Sequence, residues 1–304
     1  MKTYKIGRLL NAVILSCALW AALVGSTARG AAYSDQATAE LGALFGQDPM
    51  FNAVVKVSVY TDLLNGIGYG GSGTVIGNGE WVLTAGHVIT TASSIDQIKI
   101  KIGPNANSPD GVAVADSWYV YPGYTGGAGL GVDLALIHIA TPIGSITPAT
   151  LYSGTQSSLT GVMASMAGYG TIGLAGQGLQ TYNGLRYGGQ NTIGEVYYPS
   201  VDPQYLVTRF DAPNSGVAAA LEWQGTPGDS GGPWMVQVGG VWEVAAVSSG
   251  VNHDPSFSFG DVTFANNVFD YLGWIQSYTS VPEPTTGAVL VLGIACLLGR
   301  GKRR

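Results

Sequence analysis

The sequence predicts an all-β chain of the barrel or sandwich kind, and three observations carry that expectation. Glycine is abundant, with 46 residues among 304. β-Branched and aromatic residues gather in short runs, and almost no stretch repeats its apolar residues at helical spacing. Short apolar runs bounded by Gly, Pro, Asn and Asp are strands joined by turns, and many such strands in succession build a barrel or sandwich.

In order, the runs are 54–60, 73–76, 81–84, 98–102, 134–139, 162–167, 192–198, 206–210, 234–238, 242–248 and 262–264. The single helix with a consistent apolar face covers 266–277, where Val268, Tyr271, Leu272 and Ile275 fall at i, i+3, i+4 and i+7. Residues 146–156 read as a connector between two halves, 51–146 and 156–279. Two Gly-rich stretches, 123–131 and 168–189, read as surface loops around a cleft.

Both flanks read as addressing segments. Residues 1–32 carry Lys2, Lys5 and Arg8, then an apolar run and small residues, the layout of a secretory signal peptide cleaved after Ala28, Gly30 or Ala32. The competing reading is an uncleaved membrane anchor, for which the run is short. Residues 33–50 read as an N-terminal extension or small propeptide. In 280–304, Pro282-Glu283-Pro284 precedes an apolar segment at 287–299 and a basic end of Arg300, Lys302, Arg303 and Arg304. That trio resembles the PEP-CTERM sorting signal of Gram-negative bacteria. The resemblance implies export to the cell envelope, outer surface or extracellular matrix, with transient membrane insertion through both ends and a signal peptidase and an exosortase as processing partners. The alternative is a plain, short tail anchor.

Between these segments, residues 33–280 hold five basic and 18 acidic side chains, a net charge of −13. Such a surface repels phosphate backbones and argues against nucleic-acid binding. The two cysteines, Cys17 and Cys296, both lie in the flanks. The domain therefore has no disulfide, no thiol nucleophile and no thiolate metal site, and about 250 residues bury enough core to do without staples.

Three motifs carry the chemistry: Leu83-Thr-Ala-Gly-His87-Val88, Asp133-Leu-Ala-Leu136 and Gly228-Asp-Ser-Gly-Gly-Pro233. A serine hydroxyl attacks a carbonyl only when a base takes its proton and a third group holds that base in the right tautomer. Here His, Asp and Ser occur in that order, each in a distinctive setting. The three segments resemble those of trypsin-like serine proteases, over roughly residues 51–279, with Gly86 standing where the family's Thr-Ala-Ala-His segment has its second Ala. The resemblance implies two six-stranded antiparallel β-barrels packed together and a C-terminal α-helix, with the active site between the barrels. It implies Ser230 as nucleophile, His87 as general base, Asp133 as its orienting carboxylate, and the amides of Gly228 and Ser230 as oxyanion donors. No metal or organic cofactor is needed.

By the same resemblance Gln224 lies at the base of the specificity pocket and Ser248, Ser249 and Gly250 form the strand that meets the substrate backbone. Ser248 is expected near Asp133 and Gly260 on the far pocket wall. An acid at position 224 would favour cleavage after Arg or Lys; a glutamine there argues against strict basic specificity. Asp229 pairs, in zymogen-activated relatives, with an amino terminus that cleavage exposes, and nothing between 33 and 56 resembles that terminus. Its partner is open at this stage. His138 and His253 read as packing or surface residues, and Asp110 and Asp116 as solvated.

Two other function classes compete with a peptide-cleaving enzyme that acts on proteins or peptides. One is a catalytically silent protease-fold module for binding or adhesion. The other is a serine esterase, since 228–232 also fits G-x-S-x-G. That hydrolase fold needs a helix after the serine and an acid and a histidine downstream, whereas 234–238 reads as strand.

Overall fold

The computed structural model describes residues 31–127, 130–180, 182–194, 205–252 and 255–280. The signal-peptide reading up to residue 30, the tail 281–304, both cysteines and His253 lie outside the described residues.

Among the described residues, twelve strands make up the two main sheets. The first six are β1 (Val54–Asp62), β2 (Ile67–Ile76), β3 (Trp81–Thr84), β4 (Ile98–Ile102), β5 (Gly111–Val120) and β6 (Ala135–Ile139). They close into an antiparallel barrel in the order β1-β2-β3-β6-β5-β4, sealed where Lys56 to Val59 of β1 pair with Ile98 to Lys101 of β4. Val55, Val57 and Val59 point inward with Val82, Ile100 and Ile137, so the period-two alternation of β1 fills one core.

The second six are β7 (Met163–Gly168), β8 (Tyr187–Thr192), β9 (Tyr205–Arg209), β10 (Pro233–Val238), β11 (Val241–Asn252) and β12 (Val262–Asn267). Their order is β8-β7-β10-β11-β12-β9. This sheet is a half-barrel rather than a second closed ring: among the described residues its edges β8 and β9 meet through one bridge, Gly194 to Val207. The architecture is nonetheless the chymotrypsin-like two-barrel fold. The connector after the first barrel pairs with both halves, Ala149 against Ile76 and Thr150–Leu151 alongside Glu243–Val244 of β11.

Among the described residues three α-helices flank the sheets: α1 (Gln36–Phe45), α2 (Gly86–Ile89) and α3 (Leu272–Thr279). Asp35 caps α1 by accepting from the Thr38 amide at 2.8 Å. The buried side of α1 is Ala39, Gly42 and Ala43, while Leu41 and Leu44 face outward. Tyr33 is fully buried beneath it, and its hydroxyl donates to Gly188 O at 2.8 Å. Residues 31–45 are thus packed into the half-barrel.

The structure departs from the sequence reading in four places. β5 was not expected because its inward positions include the small Ala113 and Ala115 while Val112 and Val114 are exposed. Of the strand expected at 192–198, residues 195–198 lie outside the described residues; the strand Tyr187–Thr192 before it was unforeseen because Gly188 and Gly189 are close-approach residues and not a turn: a Cβ on Gly189 would lie 2.6 Å from Trp223 Cβ. Residues 266–267 continue β12, and the helix begins only at Leu272 after a 3-10 turn. Finally, Tyr169 and Ile172, within the expected surface loop 168–189, are core residues.

Candidate active site

The barrel ladder brings the first two candidate residues together. Thr84 at the end of β3 pairs with Ala135 at the start of β6, so His87 and Asp133 emerge at the same rim. His87 sits on α2. Its backbone amide donates to Asp133 Oδ1 at 2.8 Å, and its Nδ1 lies 2.7 Å from Asp133 Oδ2. A carboxylate only accepts, so in the neutral imidazole the proton sits on Nδ1 and the lone pair on Nε2. Gly86 belongs here for space: a Cβ would stand 3.2 Å from both Asp133 Oδ1 and Tyr124 Cδ2.

Asp133 is fully buried, which is costly for a carboxylate unless its oxygens are filled. Ser249 Oγ donates to Oδ2 at 2.5 Å, and the Asp133 amide donates to Asn266 Oδ1 at 3.0 Å. The residue next to Asp133 is therefore Ser249 and not Ser248. Adjacent side chains on a strand point to opposite faces, and a bulge between Ser248 and Gly250 shifts the β11 register here. Ser248 Oγ instead accepts from Trp234 Nε1 at 3.0 Å.

Ser230 stands on a tight turn leading into β10. Gly228 and Gly231 have φ of 102° and 85°, in the region that favours glycine. The first barrel grips this turn. The Ser72 amide donates to Ser230 O at 2.7 Å, Ser72 Oγ donates to Gly228 O at 2.9 Å, and Thr84 Oγ1 donates to Ser72 O at 2.7 Å. Gly231 N donates to Ser248 O and Gly232 N to Asp229 O. By contrast, the amides of Gly228 and Ser230 have no acceptor among the described residues.

His87 and Ser230 both line a pocket of about 270 Å³ together with Gly225, Thr226, Val251 and Thr263. Ser248, Ser249 and Gly250 form its strand-side wall. No direct hydrogen bond joins Ser230 Oγ to the imidazole among the described residues, and in unliganded sites such bonds are often long. Gln224 is fully buried beneath the lining. Its Oε1 accepts from Thr263 Oγ1 at 2.9 Å, which leaves Thr263 on the pocket wall. Gly260 is exposed and is not among the lining residues.

A family model described as Trypsin matches residues 50–275, well over half of the chain. The chain belongs to the trypsin family. It is a trypsin-like serine protease, a hydrolase acting on protein or peptide substrates.

In this trypsin-family site the acid before the serine has internal partners. Asp229 accepts from Gly170 N at 2.9 Å and from Thr226 N and Oγ1, each at 3.0 Å. Burial pushes its carboxyl up to about 6, against the pull of those donors and of Lys56. Ser72, Thr226, Thr263 and Asn266 carry no motif and were not singled out from sequence. The only hint was that Ser72, Asn266 and Thr263 sit within runs of strand-forming residues where a polar side chain needs a partner. His138 is a surface group, its Nδ1 2.6 Å from Asp116 Oδ1. Among the described residues no cluster of His, Cys, Asp and Glu could hold a metal, and no helix is long and apolar enough to cross a membrane.

Proposed function

We propose that this protein is an exported serine endopeptidase that works through an acyl-enzyme on Ser230. His87 Nε2 takes the Ser230 proton as Oγ attacks the peptide carbonyl, and later delivers it to the leaving amine. Asp133 keeps the proton on Nδ1 and stabilises the imidazolium. The free amides of Gly228 and Ser230 receive the oxyanion, and water then releases the acyl group. The observation that carries this reading is the filled Asp133 carboxylate, which fixes His87 at the rim of the pocket that Ser230 also lines. The strand β10 directly after the serine disfavours the α/β-hydrolase esterase.

Apart from Asp229, whose carboxyl oxygens are taken by Gly170 and Thr226, the far walls of the pocket (Gly225, Thr226, Val251 and Thr263) are uncharged, so neutral side chains are the preferred residues before the cut bond. The segment from residue 31 stays with the mature domain, because removing it would strip Ala31, Tyr33 and α1 from the second core. The signal peptide and the PEP-CTERM tail, handled by a signal peptidase and an exosortase, would place the enzyme at the Gram-negative envelope or outside it. A fluorophosphonate probe tests the chemistry: it labels Ser230 in the wild type and not in His87→Ala. Absence of labelling would favour a silent binding module. Labelling with ester but no peptide hydrolysis would favour an esterase. A peptide library then reads the preference for neutral side chains.

A further inference from the structure

Lys56 is an unexpected residue to find inside this protein. It lies on β1 between Val55 and Val57, which fill the first barrel, and so points the other way, into the seam between the two sheets. Its side chain is about nine-tenths buried, yet no carboxylate forms an ion pair with it among the described residues. Nζ instead donates to Tyr169 O at 3.3 Å and lies 5.2 Å from the centre of the Tyr182 ring. The same Tyr169–Gly170 peptide donates, through Gly170 N, to Asp229 Oδ1 at 2.9 Å. Its other flank is held too, since Tyr169 N donates to Ser72 Oγ, which in turn donates to Gly228 O.

We infer that Lys56 is a positioning residue for the oxyanion donors. It acts on the Ser230 turn through the Tyr169–Gly170 peptide and supplies, from inside the fold, the positive charge that offsets Asp229. An ammonium on the carbonyl end of a peptide polarises the N–H at the other end, which strengthens the bond to the carboxylate. Asp229 and Gly228 are then held together, and Gly228 N stays directed at the pocket. The groups facing Lys56 are Asp229 from the serine turn, Lys101 across the ladder, Tyr182 and Tyr169, with Tyr33 and Arg186 behind them. Burial lowers the Lys56 amine to about 8, with Asp229 pulling it back up and Lys101 pushing it down. The charge is therefore present below that pH and lost above it.

The inference rests on the peptidase reading, and the test separates the two. Wild type, Lys56→Met and Lys56→Arg are compared for kcat, KM and probe labelling of Ser230 from about pH 6 to 10. The wild-type kcat falls through about pH 8. In Lys56→Met kcat is about tenfold lower at neutral pH, KM moves less than about twofold and the alkaline fall disappears; tenfold is about 1.4 kcal/mol of transition-state stabilisation. Lys56→Arg, charged throughout, recovers the rate and keeps it to high pH. An unchanged alkaline limb in Lys56→Met, or a wild type without one, overturns the inference. The NMR shift of the Gly170 amide gives a second measure that needs no catalysis and no variant. It titrates near pH 8 in the wild type if the peptide relays the charge, and a flat response overturns the inference even where Ser230 labels normally. A titrating amide in a protein that never labels supports the relay while the peptidase reading fails.

Discussion

His87 and Asp133 stand at the ends of β3 and β6, two paired strands of a closed barrel, whereas Ser230 stands on a turn outside any ladder. The closed barrel places its share of the site by backbone register, and its interior is almost wholly apolar. The serine turn is placed instead by buried polar side chains bonded to backbone, Ser72 reaching across from the first barrel and Asp229 tied to Gly170 and Thr226. The half-barrel uses Asn191 and Glu222 in the same way elsewhere. A ladder is repetitive and tolerant. A set of single side-chain bonds is not, because each buried acceptor or donor left empty costs about 1–3 kcal/mol.

That contrast is best broken where the two halves meet. Asp133→Asn keeps the barrel but lets His87 take the wrong tautomer, and kcat on a peptide substrate falls about 10⁴-fold with the folded state retained in circular dichroism. A variant with near wild-type kcat would remove Asp133 from the mechanism. Gly231→Ala strikes the turn itself, since its Cβ would lie 2.1 Å from Ser72 O at a φ of 85°. Urea unfolding is expected to show a loss of about 2–3 kcal/mol; a neutral result would mean the grip between the halves is slack.

Smaller changes sharpen the picture of the half-barrel. Tyr33→Phe leaves Gly188 O without its donor and is expected to cost about 1–2 kcal/mol in the same assay. Glu222 accepts from the amides of Asp211 and Ala219, yet burial raises its carboxyl to about 7. The folded state thus holds a proton that the unfolded chain releases at the ordinary value of 4.5. The stabilising contribution is complete below that value and is lost as pH rises through 7. Melting temperature should decline over this window, and Glu222→Gln should flatten the decline; an unchanged slope would assign it to Asp229, whose carboxyl is also raised by burial.

The same contrast explains what could be read in advance. β3 and β4 were legible to the residue because Trp81–Thr84 and Ile98–Ile102 are short apolar runs between turn residues. The candidate triad was legible because each member sits in a local motif. Ser249 as the partner of Asp133 was not, because a bulge in β11 sets the register and no single residue announces it. α1 was hidden because its buried face is Ala and Gly and its leucines are outside. β8 was hidden because paired glycines signal a turn until Trp223 is seen lying against them. The positions that pack by being small, or that bond across the seam, carry no periodic signal.

One feature of the packing governs how the halves separate. The segment 31–45 lies on the half-barrel, the later of the two in sequence, with Ala31, Tyr33, Ala39 and Ala43 in its core. The helix α3, which follows the half-barrel, returns to the first barrel, where Trp274 and Tyr278 meet Tyr121, Trp81 and Tyr119. The polypeptide therefore folds its arms, each flank clasping the opposite half. Prising the sheets apart requires both clasps to open at once, a topological lock in a domain that contains no cysteine to fasten it.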